Sequence, residues 1–369
     1  MKRLLYFVDL VPRTPVGGTI WLTALAPVLK QRGVELHAVL SGDAYEKFVR
    51  EFQENGGKLI IEPAMRGKFD EAAARRIMQE VQPDAVCFMF YAMLSRPVLK
   101  AARFPSVRKA YYIDQSSKPI ARQSGLKKLL VGLRGRLLGP RYNAIITVSD
   151  FKRDRLVERL GLPARRIHRI YNGVETFNYD NPPAEVAADA PLLYVGQVAD
   201  FKGVPTLVAA YQKLLAKAPH APALHIAGDG PARAELEKQV SEHGLADRIV
   251  FLGQRGDIPA LMMAARLILI PSEWDEACAF VAIEAMLAGR PVIASDAGSL
   301  AELLGENGII HRAGDVEGLT DKLEEWLKPE SRPGLETRAK GLRERALAEF
   351  NLNKMVGGYA DLWAEVAHV

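Results

Sequence analysis

The stretch LILIPSEWDEACAFVAIEAMLAGRPVIAS, residues 267–295, contains the clearest indication of the fold. It opens with an apolar run of strand length, passes through a loop that contains Glu276, continues as a helical pattern over 279–288 and closes with the apolar run PVIAS. A strand that is covered on both faces of a parallel sheet has such a continuous apolar run. The stretch therefore predicts two parallel strands joined by a helix.

The same alternation of strands and helices extends in both directions from this stretch. The first half contains the apolar runs LLYFVDLV, VELHAVL, KLIIEP, DAVCFMFY, KAYYID and AIITVS, with helical patterns over 19–31, 43–54 and 70–81. The second half contains LLYVGQ, ALHIAGD, IVFLG, LILIP and PVIAS, with further helical patterns over 204–215 and 232–243. This order predicts an α/β chain with two Rossmann-like, doubly wound domains.

The predicted domains are separated by TFNYDNPPAEVAADAP, residues 176–191, which has no periodicity and reads as a linker. We place the first domain at 1–180, completed by a C-terminal helix at about 350–369, and the second at 190–345. A length of 369 residues fits two domains. Open α/β sheets bind ligands beyond the carboxyl ends of their strands, so we expect the domains to face each other across a cleft.

Composition is that of a globular protein, with 49% hydrophobic and 25% charged residues. The two cysteines, Cys87 and Cys278, are too few for a disulfide framework, which favours a reducing, cytoplasmic setting. The longest apolar stretches, such as Val86 to Leu94, are far shorter than the ~20 residues of a membrane-spanning helix.

Charge is distributed unevenly along the chain. Residues 1–175 contain 31 Lys and Arg against 16 Asp and Glu, whereas residues 176–369 contain 18 against 28. The segment 115–149 contains seven basic residues and no acidic one. Such asymmetry indicates that the first half meets an anionic surface or ligand. Candidates for contact with a membrane surface or an acceptor are Lys118, Arg122, Lys127, Lys128, Arg134 and Arg136.

Leucines recur at helical spacing within this basic segment, at Leu126, Leu130, Leu133 and Leu137. Leucines and basic residues on different helix faces are typical of a helix that lies on an anionic membrane, so we expect peripheral attachment to the inner face of the cell membrane. The glycines at 132, 135 and 139 are expected to weaken the helix. The alternative is an amphipathic core helix with a solvated face.

Two glutamates stand eight residues apart, Glu276 in the loop after LILIP and Glu284 on the helix that follows. A helix carboxylate can accept two hydrogen bonds from a ribose diol, and the N–H groups of Cys278, Ala279 and Phe280 can bind a phosphate. The alternative for Glu284 is a solvated helix glutamate. This unit predicts a nucleotide site.

Gly17 and Gly18 follow the first strand and open a helix, where glycines let a ligand approach the backbone. A plain turn between strand and helix is the alternative. The chain has neither GxxxxGK[ST] nor a complete GxGxxG, which disfavours P-loop nucleotidases and NAD-binding proteins.

Taken together and in order, these segments resemble the retaining glycosyltransferases of the family-4 type, which have the glycosyltransferase B fold. The unit from Glu276 to Glu284 is similar to the E-x7-E signature of that family. The other matching pieces are Gly17-Gly18, ITVSDFKRD (146–154), IYNGVE (170–175), LLYVGQVADFKGV (192–204), IAGDGPARAELE (226–237) and FLGQRGDIPALM (251–262).

The resemblance implies roles for particular residues. Glu284 is implied to bind the nucleotide ribose, and Glu276 the hydroxyls of the transferred sugar. Lys202 matches the lysine that holds the donor diphosphate, where a cation offsets the growing charge of the leaving group. Arg255, next to Gln254, falls where the family contacts the nucleobase. A surface lysine is the alternative for Lys202.

The chain departs from the family pattern at three places. Gln197 stands where an arginine is usual before the diphosphate lysine, which removes one of two expected cations. Ala277, Cys278 and Ala279 replace the usual Gly-Phe-Gly, which leaves less room near the sugar. Asp114 stands where a histidine is frequent, and we assign it the role of orienting an acceptor hydroxyl, a strand-end cap being the alternative.

The resemblance implies a retaining hexosyltransferase that moves a sugar from a UDP- or GDP-linked donor to a lipid-linked or cell-envelope glycan. No D-x-D pair occurs, so we expect no metal or other cofactor. The main alternative is a non-catalytic glycan- or partner-binding protein with a degenerate site. A nucleic-acid-binding protein is disfavoured because the basic run has no interleaved aromatic residues. An epimerase or phosphorylase of the same fold is a minor alternative.

Overall fold

The computed structural model describes residues 1–12, 17–117, 120–121, 123–183, 186–187 and 189–368. The predicted membrane residues Lys118 and Arg122 lie outside these ranges. Contacts divide the chain into a first unit, Met1–Gly173 with Leu352–Val369, and a second unit, Val174–Asn351.

The first unit contains a seven-stranded parallel sheet with the strand order β3-β2-β1-β4-β5-β6-β7. The strands are β1 (Lys2–Val8), β2 (Val34–Leu40), β3 (Lys58–Ile61), β4 (Ala85–Met89), β5 (Lys109–Asp114), β6 (Ala144–Thr147) and β7 (Ile167–Arg169). The helices are α1 (Gly17–Gln31), α2 (Glu46–Glu54), α3 (Glu71–Val81), α4 (Arg96–Ala101), α5 (Gly125–Leu138), α6 (Asp150–Leu160) and, near the C-terminus, α14 (Leu352–Ala364).

The second unit contains a six-stranded parallel sheet with the order β10-β9-β8-β11-β12-β13. The strands are β8 (Leu192–Val195), β9 (Leu224–Ala227), β10 (Ile249–Gly253), β11 (Leu267–Ile270), β12 (Val292–Ser295) and β13 (Ile309–His311). The helices are α7 (Val204–Lys217), α8 (Arg233–Glu242), α9 (Ile258–Ala264), α10 (Phe280–Leu287), α11 (Leu300–Leu304), α12 (Val316–Leu327) and α13 (Arg332–Glu349).

Both sheets have a reversal of strand order that is typical of doubly wound folds, between β1 and β4 in the first unit and between β8 and β11 in the second. The predicted α/β class with two Rossmann-like domains is confirmed. The edge strands β7 and β13 were not predicted. Each has only three residues, too few to show an apolar pattern in the sequence.

The segment predicted to be a linker, 176–191, begins inside the second unit. Tyr179 within it is buried, and the guanidinium of Arg343 on α13 donates a hydrogen bond to its carbonyl at 3.0 Å. The density of Pro, Asn and Asp in the sequence does not show that the described part of this segment packs against a helix.

An aromatic cluster holds α14 in the first unit. Tyr359 stacks on Trp21 of α1 with ring centroids 4.8 Å apart, and Trp363 contacts Tyr6 of β1 at 6.5 Å. All four side chains are almost completely buried. Since aromatic side chains bury large apolar areas, this cluster fixes the C-terminal helix on the sheet. No helix in the described part of the chain is long and apolar enough to cross a membrane.

Candidate functional site

Two predicted site residues of the second unit meet at its strand-order reversal. Lys202 follows β8 and Glu276 follows the neighbouring strand β11, and the lysine Nζ lies 2.6 Å from the glutamate Oε1. The hydroxyl of Ser272 donates a second hydrogen bond to the same oxygen at 2.9 Å. The side chain of Glu276 is only 10% exposed, whereas that of Lys202 is 29% exposed.

Close backbone contacts position this pair. At Gly203 φ is +70°, and a Cβ there would lie 1.9 Å from the carbonyl oxygen of Pro271. At Gly298 φ is +63°, and a Cβ would lie 2.2 Å from the amide nitrogen of Glu276. Only glycine fits both places, so the loops that carry Lys202 and Glu276 can touch their neighbours directly. No motif in the sequence marks Ser272 or Gly298 as part of this site.

The helix α10 carries the second predicted glutamate. Glu284 is half-buried in its middle, and burial raises the pKa of this carboxyl from 4.5 to about 7. Cys278 and Ala279 just before the helix are buried, while Phe280 at its first position is 37% exposed. Hydroxyl groups that donate hydrogen bonds to such a carboxyl stabilise its charged form and offset the cost of burying it.

The other predicted donor residues are on the loops after β8 and β10 and at the start of α1. Gln197 is exposed after β8, and its carbonyl accepts a hydrogen bond from the Tyr194 hydroxyl at 2.7 Å. Arg255 after β10 makes two hydrogen bonds to Asp257, at 2.8 and 2.6 Å, so its guanidinium is engaged within its own loop. Gly17 and Gly18 are the first residues of α1 in the first unit.

In the first unit, Asp114 ends β5 and is paired with a lysine that the sequence analysis missed. Lys152 Nζ lies 3.3 Å from Asp114 Oδ2 and donates a hydrogen bond to the carbonyl of Ser116 at 2.7 Å. Both charged side chains are buried. In the sequence, Lys152 reads as one of several basic residues on an exposed helix, and only its place within the ITVSDFKRD piece singles it out.

The basic segment forms α5, and two of the three glycines that were expected to weaken this helix lie at a packing contact. A Cβ on Gly135 would lie 1.7 Å from the carbonyl oxygen of Leu160 at the end of α6, and one on Gly139 would lie 2.8 Å from the Leu162 side chain. These two glycines therefore let α5 and the residue after it pack closely against the end of α6. The alternative of a core helix is wrong, because five leucines are 51–70% exposed: Leu126, Leu129, Leu130, Leu133 and Leu137.

The predicted basic residues of α5 share this exposed surface. Lys127, Lys128, Arg134 and Arg136 are all exposed, and Arg134 also donates a hydrogen bond to the carbonyl of Leu94 at 2.7 Å. Among the described residues, no three His, Cys, Asp or Glu side chains converge in a way that could hold a metal ion.

Comparison with known proteins matches both units to glycosyltransferase models. The model of Glycosyltransferase Family 4 matches residues 16–177, and that of Glycosyl transferases group 1 matches residues 190–329. Together, the two matches show a glycosyltransferase of the family-4 type. The predicted resemblance is thereby confirmed, and the two matches cover both units of this family-4 chain.

Known relatives of the family-4 chain include an N-acetyl-alpha-D-glucosaminyl L-malate synthase of Bacillus anthracis, 28% identical over 95% of this chain and 94% of the relative. An alpha-D-kanosaminyltransferase of Streptomyces kanamyceticus is 30% identical over 60% of each chain, so the chain spans well under two thirds of that relative. The crystal structure of Anabaena HepE in complex with UDP superimposes with a TM-score of 0.77 at 21% identity, over 99% of this chain and 100% of that one. This likeness confirms the glycosyltransferase B fold.

Proposed function

We propose that the protein is a hexosyltransferase that moves a sugar from a nucleoside diphosphate sugar to a glycan acceptor. The observation that carries this proposal is the meeting of Lys202 and Glu276 at the carboxyl ends of adjacent strands, with Glu284 on the helix that follows. A cation for a diphosphate and two carboxylates for hydroxyls are the groups that a sugar nucleotide requires.

When the donor binds, we expect Lys202 and Glu276 to separate and each to bind a different part of the donor. A diphosphate carries more charge than one carboxylate, so Lys202, which is partly exposed, turns to it. Glu276 then accepts hydrogen bonds from the sugar hydroxyls, while Ser272 keeps the carboxylate in place. Glu284 accepts hydrogen bonds from the ribose, and the N–H groups of 278–280 face the phosphates.

During transfer, the bond between the anomeric carbon and the diphosphate oxygen breaks as the acceptor oxygen bonds to that carbon. The diphosphate leaves with the bonding electron pair, and Lys202 stabilises the charge that develops on it. The acceptor hydroxyl gives its proton to the departing diphosphate oxygen, and Asp114 in the first unit orients this hydroxyl. We propose that the configuration at the anomeric carbon is retained, which proton NMR of the product tests directly.

Relatives support a nucleotide-sugar donor, and the solved complexes among them contain UDP or UDP-glucose. HepE was solved with UDP and with UDP-glucose, and a Rhizobium meliloti relative, 38% identical over 24% of this chain, is a lipopolysaccharide core mannosyltransferase. We further propose that turnover requires no divalent metal, because the charge on the leaving diphosphate is met by Lys202 and the N-terminal end of α10.

The donor proposal is tested by calorimetric titration of the purified protein with UDP, GDP and ADP, each in EDTA and in magnesium. We expect one nucleotide to bind equally well in both media. Binding is expected to weaken about 10- to 100-fold in Lys202→Ala and Glu284→Ala, which lose charge-assisted hydrogen bonds. Lys238→Ala, which removes an exposed lysine of the same unit, is the control.

Three outcomes contradict parts of this proposal. A folded protein that binds none of the nucleotides is a non-catalytic glycan- or partner-binding protein, with Gln197 and Ala277 to Ala279 as marks of a degenerate site. Binding that disappears in EDTA overturns metal independence. Normal binding in both variants places the donor elsewhere.

We also propose a lipid-linked or cell-envelope acceptor, reached by peripheral attachment to the inner face of the cell membrane. Five exposed leucines on one 14-residue helix, among four exposed basic residues, form a surface that an anionic bilayer covers well. Each basic residue near such a surface contributes about 1 kcal/mol. The leucines enter the interface while the glycine face holds α5 on α6.

Flotation with phosphatidylglycerol-containing vesicles tests the membrane proposal. We expect the wild type to float, and Leu129→Glu/Leu133→Glu to stay in solution with an unchanged affinity for the nucleotide. Leu347→Glu, an equally drastic change at a leucine that is 42% exposed on α13, should float normally. Equal flotation of all three proteins would overturn the assignment of α5.

A further inference from the structure

We infer that Lys152 is a positioning residue that fixes the carboxylate of Asp114 for the acceptor hydroxyl. This inference rests on the proposed function, in which Asp114 orients that hydroxyl. Neither the family signature nor the sequence pattern assigns any role to Lys152, whereas the structure places its ammonium group on the carboxylate at the end of β5.

The geometry holds both carboxylate oxygens. Lys152 Nζ lies 3.3 Å from Oδ2 of Asp114, and the amide of Ser116 donates a hydrogen bond to Oδ1 at 3.1 Å. The same Nζ donates to the carbonyl of Ser116 at 2.7 Å. One lysine therefore ties the carboxylate to the loop after it. Each carboxylate oxygen can accept about two hydrogen bonds, so each has the capacity to accept one more.

Strand register brings the two residues together. Asp114 ends β5 opposite Thr147, which ends β6, and Ser149 then caps α6 by accepting the amide of Lys152 at 3.2 Å. The cap fixes the first turn of α6 beside Asp114. Lys152 is thus delivered from the neighbouring strand to the carboxyl edge of the sheet, which is where doubly wound sheets bind ligands.

Burying the ammonium group of Lys152 at this position costs free energy, which a purely structural role does not explain. It lies in the first turn of α6, where the positive end of the helix dipole disfavours a cation, and its side chain is only 4% exposed. Removing an ammonium and a carboxylate from water costs several kcal/mol each, and an apolar pair of similar size often stabilises a fold equally well. The buried pair is therefore better explained by its effect on the carboxylate of Asp114.

The test compares four variants in one turnover assay. Release of nucleoside diphosphate is measured with UDP-glucose or, where the nucleotide titration selects GDP, with GDP-mannose, and with octyl glucoside as the acceptor probe. The variants are Lys152→Met, Lys152→Arg, Asp114→Asn and the double variant Asp114→Asn/Lys152→Met. Arg153→Met is the matched control. Arg153 is the residue after Lys152, and it forms ion pairs with Asp150 and Asp154 of its own helix.

We expect Lys152→Met to lower kcat at least tenfold with the donor KM and the nucleotide affinity unchanged, because a misplaced group at the reacting centre slows chemistry without weakening the donor. Lys152→Arg should recover most of kcat, since it restores the cation. In the Asp114→Asn background, Lys152→Met should cost nothing further, because the lysine acts only through that carboxylate.

Three results would overturn the inference. They are an unchanged kcat in Lys152→Met, an unchanged kcat in Asp114→Asn, and a loss of kcat in the double variant that equals the product of the losses in the two single variants. If Lys152→Met does not fold, Lys152→Gln, which keeps a donor for the Ser116 carbonyl, serves in its place. Failure of the proposed function is distinct from all of these, because a wild-type protein without a donor nucleotide site fails in the nucleotide titration before any variant is made.

Discussion

Each unit has a lysine paired with a carboxylate just beyond the carboxyl ends of adjacent strands, but the two pairs differ in exposure. The side chain of Lys202 in the second unit is 29% exposed, whereas that of Lys152 in the first unit is 4% exposed. Their carboxylate partners, Glu276 and Asp114, are nearly equally buried, at 10% and 11%.

This difference separates an exchangeable pair from a fixed one. An exposed lysine loses little when it changes partner, because water compensates for the charge during the exchange. A buried lysine cannot leave its carboxylate without losing the interaction that offsets its desolvation. The second unit is therefore suited to grip and release a charged donor, and the first to keep one carboxylate in a constant orientation.

The strongest test of this comparison is the stability of Lys152→Met. Breaking a buried ion pair from one side costs about 3–5 kcal/mol, because a buried charge is left without a partner. In a unit of this size, we expect the melting temperature to fall by on the order of 10 °C in scanning calorimetry. The double variant Asp114→Asn/Lys152→Met should regain most of this loss, and no recovery would show that the charge pair is not the cause.

Substitution of Lys202 should have the opposite profile, with a large effect on turnover and a small one on stability. We expect kcat/KM of Lys202→Ala to fall about 10²- to 10³-fold, as for the loss of one preorganised donor to a leaving group. Its melting temperature should fall less than that of Lys152→Met, since Ser272 still donates to Glu276. Equal losses of stability in the two variants would erase the proposed difference between the pairs.

Glu284 extends the comparison to a carboxyl group whose charged form is disfavoured by burial. Its pKa rises from 4.5 to about 7 on folding, so the folded protein holds this proton more tightly than the unfolded chain. The resulting stabilisation is fully present below pH 4.5 and is lost as the pH rises through 7. Its size is about 3 kcal/mol.

Urea unfolding between pH 4.5 and 8 measures how the free energy of unfolding depends on pH. In Glu284→Gln, this free energy should vary less with pH. Nucleotide affinity should change in the opposite sense and rise towards pH 7 and above, because the ionised carboxylate is the better acceptor for ribose hydroxyls. An affinity in the wild type that does not vary with pH would contradict the role of Glu284 in the donor site.

The smallest expected effect concerns the helix packing next to the fixed pair. Gly135→Ala places a methyl group against the carbonyl of Leu160 and should destabilise the first unit by about 1–3 kcal/mol. Gly132→Ala on the same helix meets nothing within 4 Å and should stabilise by up to about 1 kcal/mol. Chemical denaturation of both variants checks this, and equal effects would show that α5 does not pack through Gly135.

Most of the fold could be predicted because its elements repeat a local pattern. The runs LILIP and PVIAS and the helix between them appear as β11, α10 and β12 within a residue or two. The strands β7 and β13 were missed because three residues at a sheet edge show no period. Motifs whose spacing can be read directly from the sequence identified three candidate residues, Glu276, Glu284 and Lys202.

What the sequence missed depends on contacts between distant residues. The helix α5 was predicted, yet its exposed leucines and packed glycines depend on where α6 ends. Lys152 resembles the exposed basic residues around it until the ends of β5 and β6 are placed side by side.

Periodicity and motif spacing are local properties of the chain, and they were enough to predict the two α/β units, the family and the candidate residues of the donor site. The burial of Lys152 and the partial exposure of Lys202 became visible only in the folded structure. Lys202 meets Glu276 across 74 residues and Lys152 meets Ser116 across 36, and burial at such a meeting point is set by everything that packs around it. Because burial controls what an ion pair costs and whether it can exchange partners, the difference between the two pairs first becomes visible in three dimensions.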